Sequence, residues 1–76
     1  MVDSAGYIGG INSVSSFLDK RSFLVHRMYY VSSKNKRIAV LIEKARDLGI
    51  KVEEVSTDFL NSLVSSMSHQ GVVLSA

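Results

Sequence analysis

Apolar and polar positions along this chain change their period several times, and each change marks an element. In "INSVSSFLDK" the residues Ile11, Val14, Phe17 and Leu18 recur at helical spacing, so a short first helix is expected, with Asn12 or Ser13 able to cap its exposed amides. Just before it, Gly9-Gly10 permits a backbone that a side chain would obstruct and a close approach to whatever lies opposite. "FLVHRMYYV" then runs through β-branched and aromatic residues with no helical period, the pattern of a largely buried strand. From Ile38 the stripe Ile38, Leu41, Ile42, Ala45 and Leu48 returns to one helix face, Glu43, Lys44, Arg46 and Asp47 fall on the other, and Gly49 supplies a stop. "IKVEEV" alternates imperfectly with charges and predicts a second, more solvated strand. Ser56 or Thr57 then caps a third helix carrying Phe59, Leu60, Leu63, Val64 and Met67, and "GVVLSA" is a closing strand.

Helix and strand thus alternate three times with short connections. That order predicts an α/β fold, a small three-layer sandwich on a mainly parallel sheet. In open parallel sheets, ligands bind at the carboxyl ends of strands, where helix N-termini also present unpaired amides. No repeat or low-complexity segment interrupts the pattern, although serine is frequent.

Composition narrows the picture. At 76 residues the chain is one domain, and a domain of this size buries only about 60% of the surface its unfolded chain exposes. An apolar fraction of 46% is enough for a core without staples. Cysteine is absent, which removes disulfides, thiolate nucleophiles and cysteine-based zinc sites together. The apolar runs fall far short of the roughly 18 to 20 residues that cross a bilayer, so no membrane partner is expected. Met1 to Gly6 has neither the basic region nor the apolar stretch of a secretory signal. A net charge of +2 permits contact with nucleic acid without announcing it, so the position of the charges matters more than their sum.

Catalysis by this chain alone is not expected. Its only histidines, His26 and His69, carry no motif, and His26 falls inside the first predicted strand, where a packed or surface-pointing role is the plainer reading. They are too far apart in sequence to suggest a metal site, and Gly9-Gly10 lacks the further spaced glycines of a phosphate-binding loop. "SSKNKR" is more informative. It places Lys34, Lys36 and Arg37 within four positions, in the loop leading from the first predicted strand to the second helix. A solvated loop explains such charges, but beside a helix N-terminus they also form a phosphate-attracting rim. Lys20-Arg21 reads as a solvated turn at the opposite edge. In "GGINS" the backbone amides and Asn12 either cap the helix or point at a phosphate or base edge.

Taken together, "GINSV", "LVHRMYYV", "RIAVLIEKARDLGI", "KVEEVS", "DFLNSLVSS" and "SHQGVVLSA" resemble the N-terminal substrate-binding domain of SpoU/TrmH-type RNA ribose 2'-O-methyltransferases. The resemblance covers about Ile8 to Ala76, with residues 1–7 as an N-terminal extension. Its more specific parts are Gly10-Ile11-Asn12-x-Val14 and His69-Gln70-Gly71. It implies a ribosomal-protein-like fold that binds structured RNA, with rRNA the expected target. It further implies a linker to a C-terminal catalytic domain, a deep trefoil knot that binds S-adenosylmethionine and dimerises. On that basis the chain is a piece of a homodimeric enzyme of the cytoplasm, or of an organelle matrix in a eukaryote. The piece itself would be a monomer without catalytic residue, cofactor or metal. The RNA-facing residues implied are Gly10, Ile11, Asn12, Lys34, Lys36, Arg37, His69 and Gln70. Several relatives have His where this chain has Asn12, which leaves base preference open. For His69-Gln70 three roles stand side by side: touching RNA, fixing the turn before the last strand, or facing the catalytic domain. A stand-alone kink-turn-binding protein, with its similar Gly-x-Asn segment, and a protein-interaction module are the alternatives. The His-Gln-Gly ending favours the methyltransferase pattern over the kink-turn reading, and a pure interaction module predicts no RNA affinity at low salt.

Overall fold

A computed structural model describes residues 6–32, 34–64 and 69–76 of the chain. The elements are β1 (Tyr7–Gly9), α1 (Ile11–Arg21), a 3-10 turn (Ser22–Leu24), β2 (Arg27–Tyr30), α2 (Lys36–Asp47), β3 (Lys51–Glu54), α3 (Thr57–Leu63) and β4 (Val72–Ser75). The strands form one sheet in the order β1-β4-β2-β3.

The apolar stripes explain the layering. Ile11, Val14 and Leu18 of α1 and Ile38, Leu41 and Ala45 of α2 sit three and four positions apart, and all are buried. They pack on one face of the sheet against Ile8, Met28, Val72 and Leu74. On the other face, Leu60 and Val64 from the α3 segment pack with Val73, flanked by Tyr7 and Tyr29. Helices therefore cover both faces of the sheet. Because β4 is a central strand, Val72, Val73 and Leu74 are each fully buried, and its uninterrupted apolar run follows from that double coverage.

Three expectations are corrected. The sheet is mixed rather than mainly parallel: β2 pairs with β3 in parallel, but β4 runs antiparallel to both β1 and β2. The reason lies in α3, whose seven residues are only about 10 Å long. The α3 segment leaves from the end of the sheet where β3 finishes and returns to that same end, so β4 must run back. Alternation of elements in sequence does not reveal whether a helix carries the chain across or brings it back. Second, β1 was not foreseen, since Tyr-Ile-Gly is too short for any period to show. It begins at Tyr7, within the segment assigned to the extension.

Third, the first predicted strand is shorter than its apolar run. Ser22–Leu24 form a 3-10 turn with Phe23 81% exposed, His26 is exposed outside the strand, and pairing begins at Arg27. Lys20 and Arg21 are not a turn but the last turn of α1, where cations complement the helix dipole. Elsewhere Gly49, at φ 78, ends α2, and the Ser56 hydroxyl accepts from the Phe59 amide at 3.1 Å to start α3. Met67, expected in that helix, lies outside the described residues.

Candidate functional site

β1 and β2 end, and β4 begins, at one end of the sheet, because Gly9 pairs with Val73 and Tyr30 with Val72. The N-termini of α1 and α2 start from the same end. Sequence segments some sixty positions apart, Gly10 to Asn12 and His69 to Gly71, are therefore neighbours.

Hydrogen bonds fix how they meet. Gly10 adopts φ 101, a conformation that excludes most side chains, and its amide donates to the carbonyls of His69 at 3.1 Å and Val72 at 3.2 Å. Residues 69–72 form a tight turn, closed by the Val72 amide donating to the His69 carbonyl at 3.0 Å. Gln70 and Gly71 both have positive φ, 54 and 87, as in a type I′ turn. The Gln70 side chain then reaches back, and its Oε1 accepts from the Ile11 amide at 2.8 Å. One of the orphan donors of α1 is thereby satisfied by a residue from the far end of the chain.

His69 braces the same turn. Its Nδ1 accepts from the Gly71 amide at 2.9 Å, and its Nε2 lies 2.8 Å from Asn61 Oδ1 on α3. A backbone amide can only donate, so Nδ1 carries the lone pair and the Nε2 proton is the one given to Asn61. The imidazole ties the turn to the helix on the other face of the sheet.

On the opposite side of the turn lies the basic segment. Asn35 is the N-cap of α2, its Oδ1 accepting from the Arg37 amide at 2.9 Å. Lys34, Lys36 and Arg37 are all exposed. Arg37 extends across to α1, where its Nη2 donates to Asn12 Oδ1 at 2.5 Å. Asn12 thus lies within α1 and orients a guanidinium, rather than capping the helix as expected.

The eight residues singled out from sequence do not play one part. Asn12, Lys34, Lys36, Arg37 and Gln70 are exposed, and His69 is half-buried. Gly10 and Ile11 are buried, and their amides are bound within the fold, so the expectation that these amides point at a phosphate is corrected. His26 lies at the far end of the sheet, its amide donating to the Ser75 carbonyl, well away from His69. Acidic groups lie on both faces: Asp58 is in the first turn of α3, whereas Glu54, in register with Tyr30, and Asp19 are on the α1/α2 face. The exposed basic residues gather at the N-terminus of α2.

Sequence reasoning missed two clefts that flank α1. One, of about 410 Å³, lies between α1 and α2 and includes Ser15, Ser16, Asp19, Lys20 and Val40 beside Asn12 and Arg37. The other, of about 450 Å³, lies on the far side of α1. Asn12, Ser16 and Lys20 border both. Their i, i+4, i+8 spacing was visible as a polar ridge, but nothing in it said which neighbour would stand opposite.

A family model described as RNA 2'-O ribose methyltransferase substrate binding matches residues 7–76. The chain is 39% identical over 67 residues to the 23S rRNA (guanosine-2'-O-)-methyltransferase RlmB of Coxiella burnetii, covering 87% of the chain and 26% of that protein. To the proteins of the same name from Xylella fastidiosa and Xanthomonas campestris pv. campestris it is 36% and 34% identical, over 87% of the chain and 27% of each relative. The chain spans about a quarter of the length of these curated relatives.

Proposed function

The chain belongs to the substrate-binding domain family of SpoU-type RNA 2'-O ribose methyltransferases, and on that premise we propose that it recognises an RNA and presents one ribose to a separate catalytic domain. The observation that carries this reading is the gathering of Lys34, Lys36 and Arg37 around the N-terminus of α2, a helix packed on the face of the sheet opposite α3. Phosphates are drawn to such a rim by charge and by the helix N-terminus together. Asn12, which orients Arg37, and Gln70 lie close enough to add polar contacts that position rather than attract. Gly10, Ile11 and His69 serve the interface by shaping it, since their polar groups are bound within the fold.

The curated relatives are named for guanosine-2'-O methylation of 23S rRNA, and rRNA is accordingly the proposed target class. The proposal extends to a homodimeric parent acting in the cytoplasm or an organelle matrix. In that parent S-adenosylmethionine supplies the methyl group from the catalytic domain. It does not suit the clefts of this chain. They carry Lys20, Arg37 and Arg21, whereas the cofactor brings a sulfonium and an ammonium of its own, and the carboxylate of Asp19 is already paired with Lys44. Catalytic steps are assigned to no residue of this chain.

The test is binding of a structured rRNA fragment, followed by fluorescence anisotropy across a salt series. Affinity should fall with a log–log slope on the order of −2 to −4, as expected for three to five phosphate contacts. Replacing Lys34, Lys36 and Arg37 together with alanine should flatten that slope by about 2. It should leave the far-UV circular dichroism spectrum unchanged. An unaltered slope and affinity would remove this rim from the interface. The kink-turn alternative is disfavoured by the His69-Gln70-Gly71 turn. It would regain ground if a kink-turn RNA bound far more tightly than an rRNA hairpin of equal length.

A further inference from the structure

The cleft between α1 and α2 is the part of this surface that phosphate attraction does not explain. It adjoins the Asn12–Arg37 hydrogen bond, and from there it follows α1 for two turns to Lys20, about 12 Å along the helix. Its lining includes the buried Ile11 and Leu41 and, on α2, Val40, which is 63% exposed in mid-helix. Along the α1 side stand the hydroxyls of Ser15 and Ser16. The negative charge of Asp19 is offset by its ion pair with Lys44, so the charges bordering the cleft that have no ion pair among the described residues are the cations Arg37 and Lys20, toward its two ends. An exposed apolar side chain, serine hydroxyls and a cation toward either end match a planar base with a phosphate on each side.

Sequence-reading RNA proteins take hold of bases that have left the helical stack, lay them against apolar or guanidinium surfaces and hydrogen-bond their edges. We infer that the α1/α2 cleft receives one unpaired nucleotide of the bound RNA, its base over Val40 and its flanking phosphates on Arg37 and Lys20. This rests on the RNA-recognition reading and adds to it a site for one base. Asn12 has a double part in it. By holding Arg37 across the mouth of the cleft, it sets where the first phosphate lies.

The experiment uses the 76-residue chain and two RNAs: a hairpin with a purine-containing single-stranded loop, and a fully paired duplex of the same stem. One loop purine is replaced by 2-aminopurine, whose fluorescence rises when it leaves its stacked neighbours. Ser15→Leu fills the cleft with a better helix former than serine, and Val40→Gln removes the exposed apolar side chain from its lining. Each should weaken hairpin binding by about tenfold and abolish the fluorescence rise, while duplex affinity changes by less than about twofold.

The inference is overturned if both variants bind the hairpin as the unaltered chain does, with the same rise, while the triple alanine variant loses it. The RNA then crosses the helix N-termini without entering the cleft, and the recognition reading stands. Equal weakening of hairpin and duplex also overturns it, because the cleft would then hold backbone and not a base. If the unaltered chain binds neither RNA at low salt, the recognition reading itself fails, and the cleft assignment with it.

Discussion

Gln70 offers a quantitative test of whether its side chain serves the fold or the RNA. Two effects meet at this residue. Its Oε1 satisfies the Ile11 amide at the start of α1, a contribution comparable to an N-cap, about 1 kcal/mol. Its backbone sits at φ 54, where a residue with a Cβ is worse off than glycine by about 1–2 kcal/mol. Gln70→Ala removes the hydrogen bond and keeps the left-handed penalty, so it should lower stability by about 1 kcal/mol. Gln70→Gly loses the same bond but relieves that penalty, against about 0.4–1 kcal/mol for the greater freedom of glycine in the unfolded chain. The glycine variant should therefore fall between about 1 kcal/mol below and about 0.6 kcal/mol above the unaltered protein, and melt above the alanine variant by up to about 10 °C. Thermal and urea unfolding by circular dichroism read both numbers. If Gln70→Ala is neutral, the bond to Ile11 contributes nothing; if Gln70→Gly is the less stable of the two, the left-handed turn is not formed. RNA affinity then separates the roles. With a shaping role, Gln70→Gly stays within about twofold of the unaltered chain, whereas direct contact predicts an equal loss in both variants.

His69→Ala strands the Gly71 amide and Asn61 and should cost about 1–2 kcal/mol, while His69→Asn, which can accept from the same amide, should recover about half; equal melting of the two would refute the bracing role. Leu74→Ala at the centre of the sheet should cost about 2–5 kcal/mol, whereas Phe23→Ser in the exposed 3-10 turn should stay within about 0.5 kcal/mol. A large loss at Phe23 in urea unfolding would restore the longer strand that the sequence suggests.

What could be read from sequence was whatever a local period encodes. The stripe from Ile38 to Ala45 gave α2, and Ile11, Val14 and Leu18 gave α1, because one buried face is enough to specify a helix. Strand direction was not legible, since α3 brings the chain back to the end it left and neither outcome alters the residue pattern. Phe23 and Leu24 read as strand by type, but no partner strand reaches them. At the site, the clustering of Lys34, Lys36 and Arg37 was plain. That Gln70 would hold the start of α1 was not, because the contact joins positions 59 apart. The grouping of His69 and Gln70 with Gly10 and Asn12 came from family resemblance, and the physical reason for it is the turn that these residues close.

The placement of β4 between β1 and β2 has a consequence for the order of events during folding. Every contact that joins β1 to the rest of the sheet runs from residues 7–9 to residues 73–75. A nascent chain that has emerged only as far as Leu63 holds β1 and β2 with the strand between them still missing, and Ile8 and Met28 have lost much of their cover. Such long-range closure slows folding and withholds the reward of local structure until late. Ribosome-stalled chains should accordingly leave this domain protease-sensitive until residues 72–75 are free to insert, and become resistant in a single step: the last of its four strands to be made is the keystone.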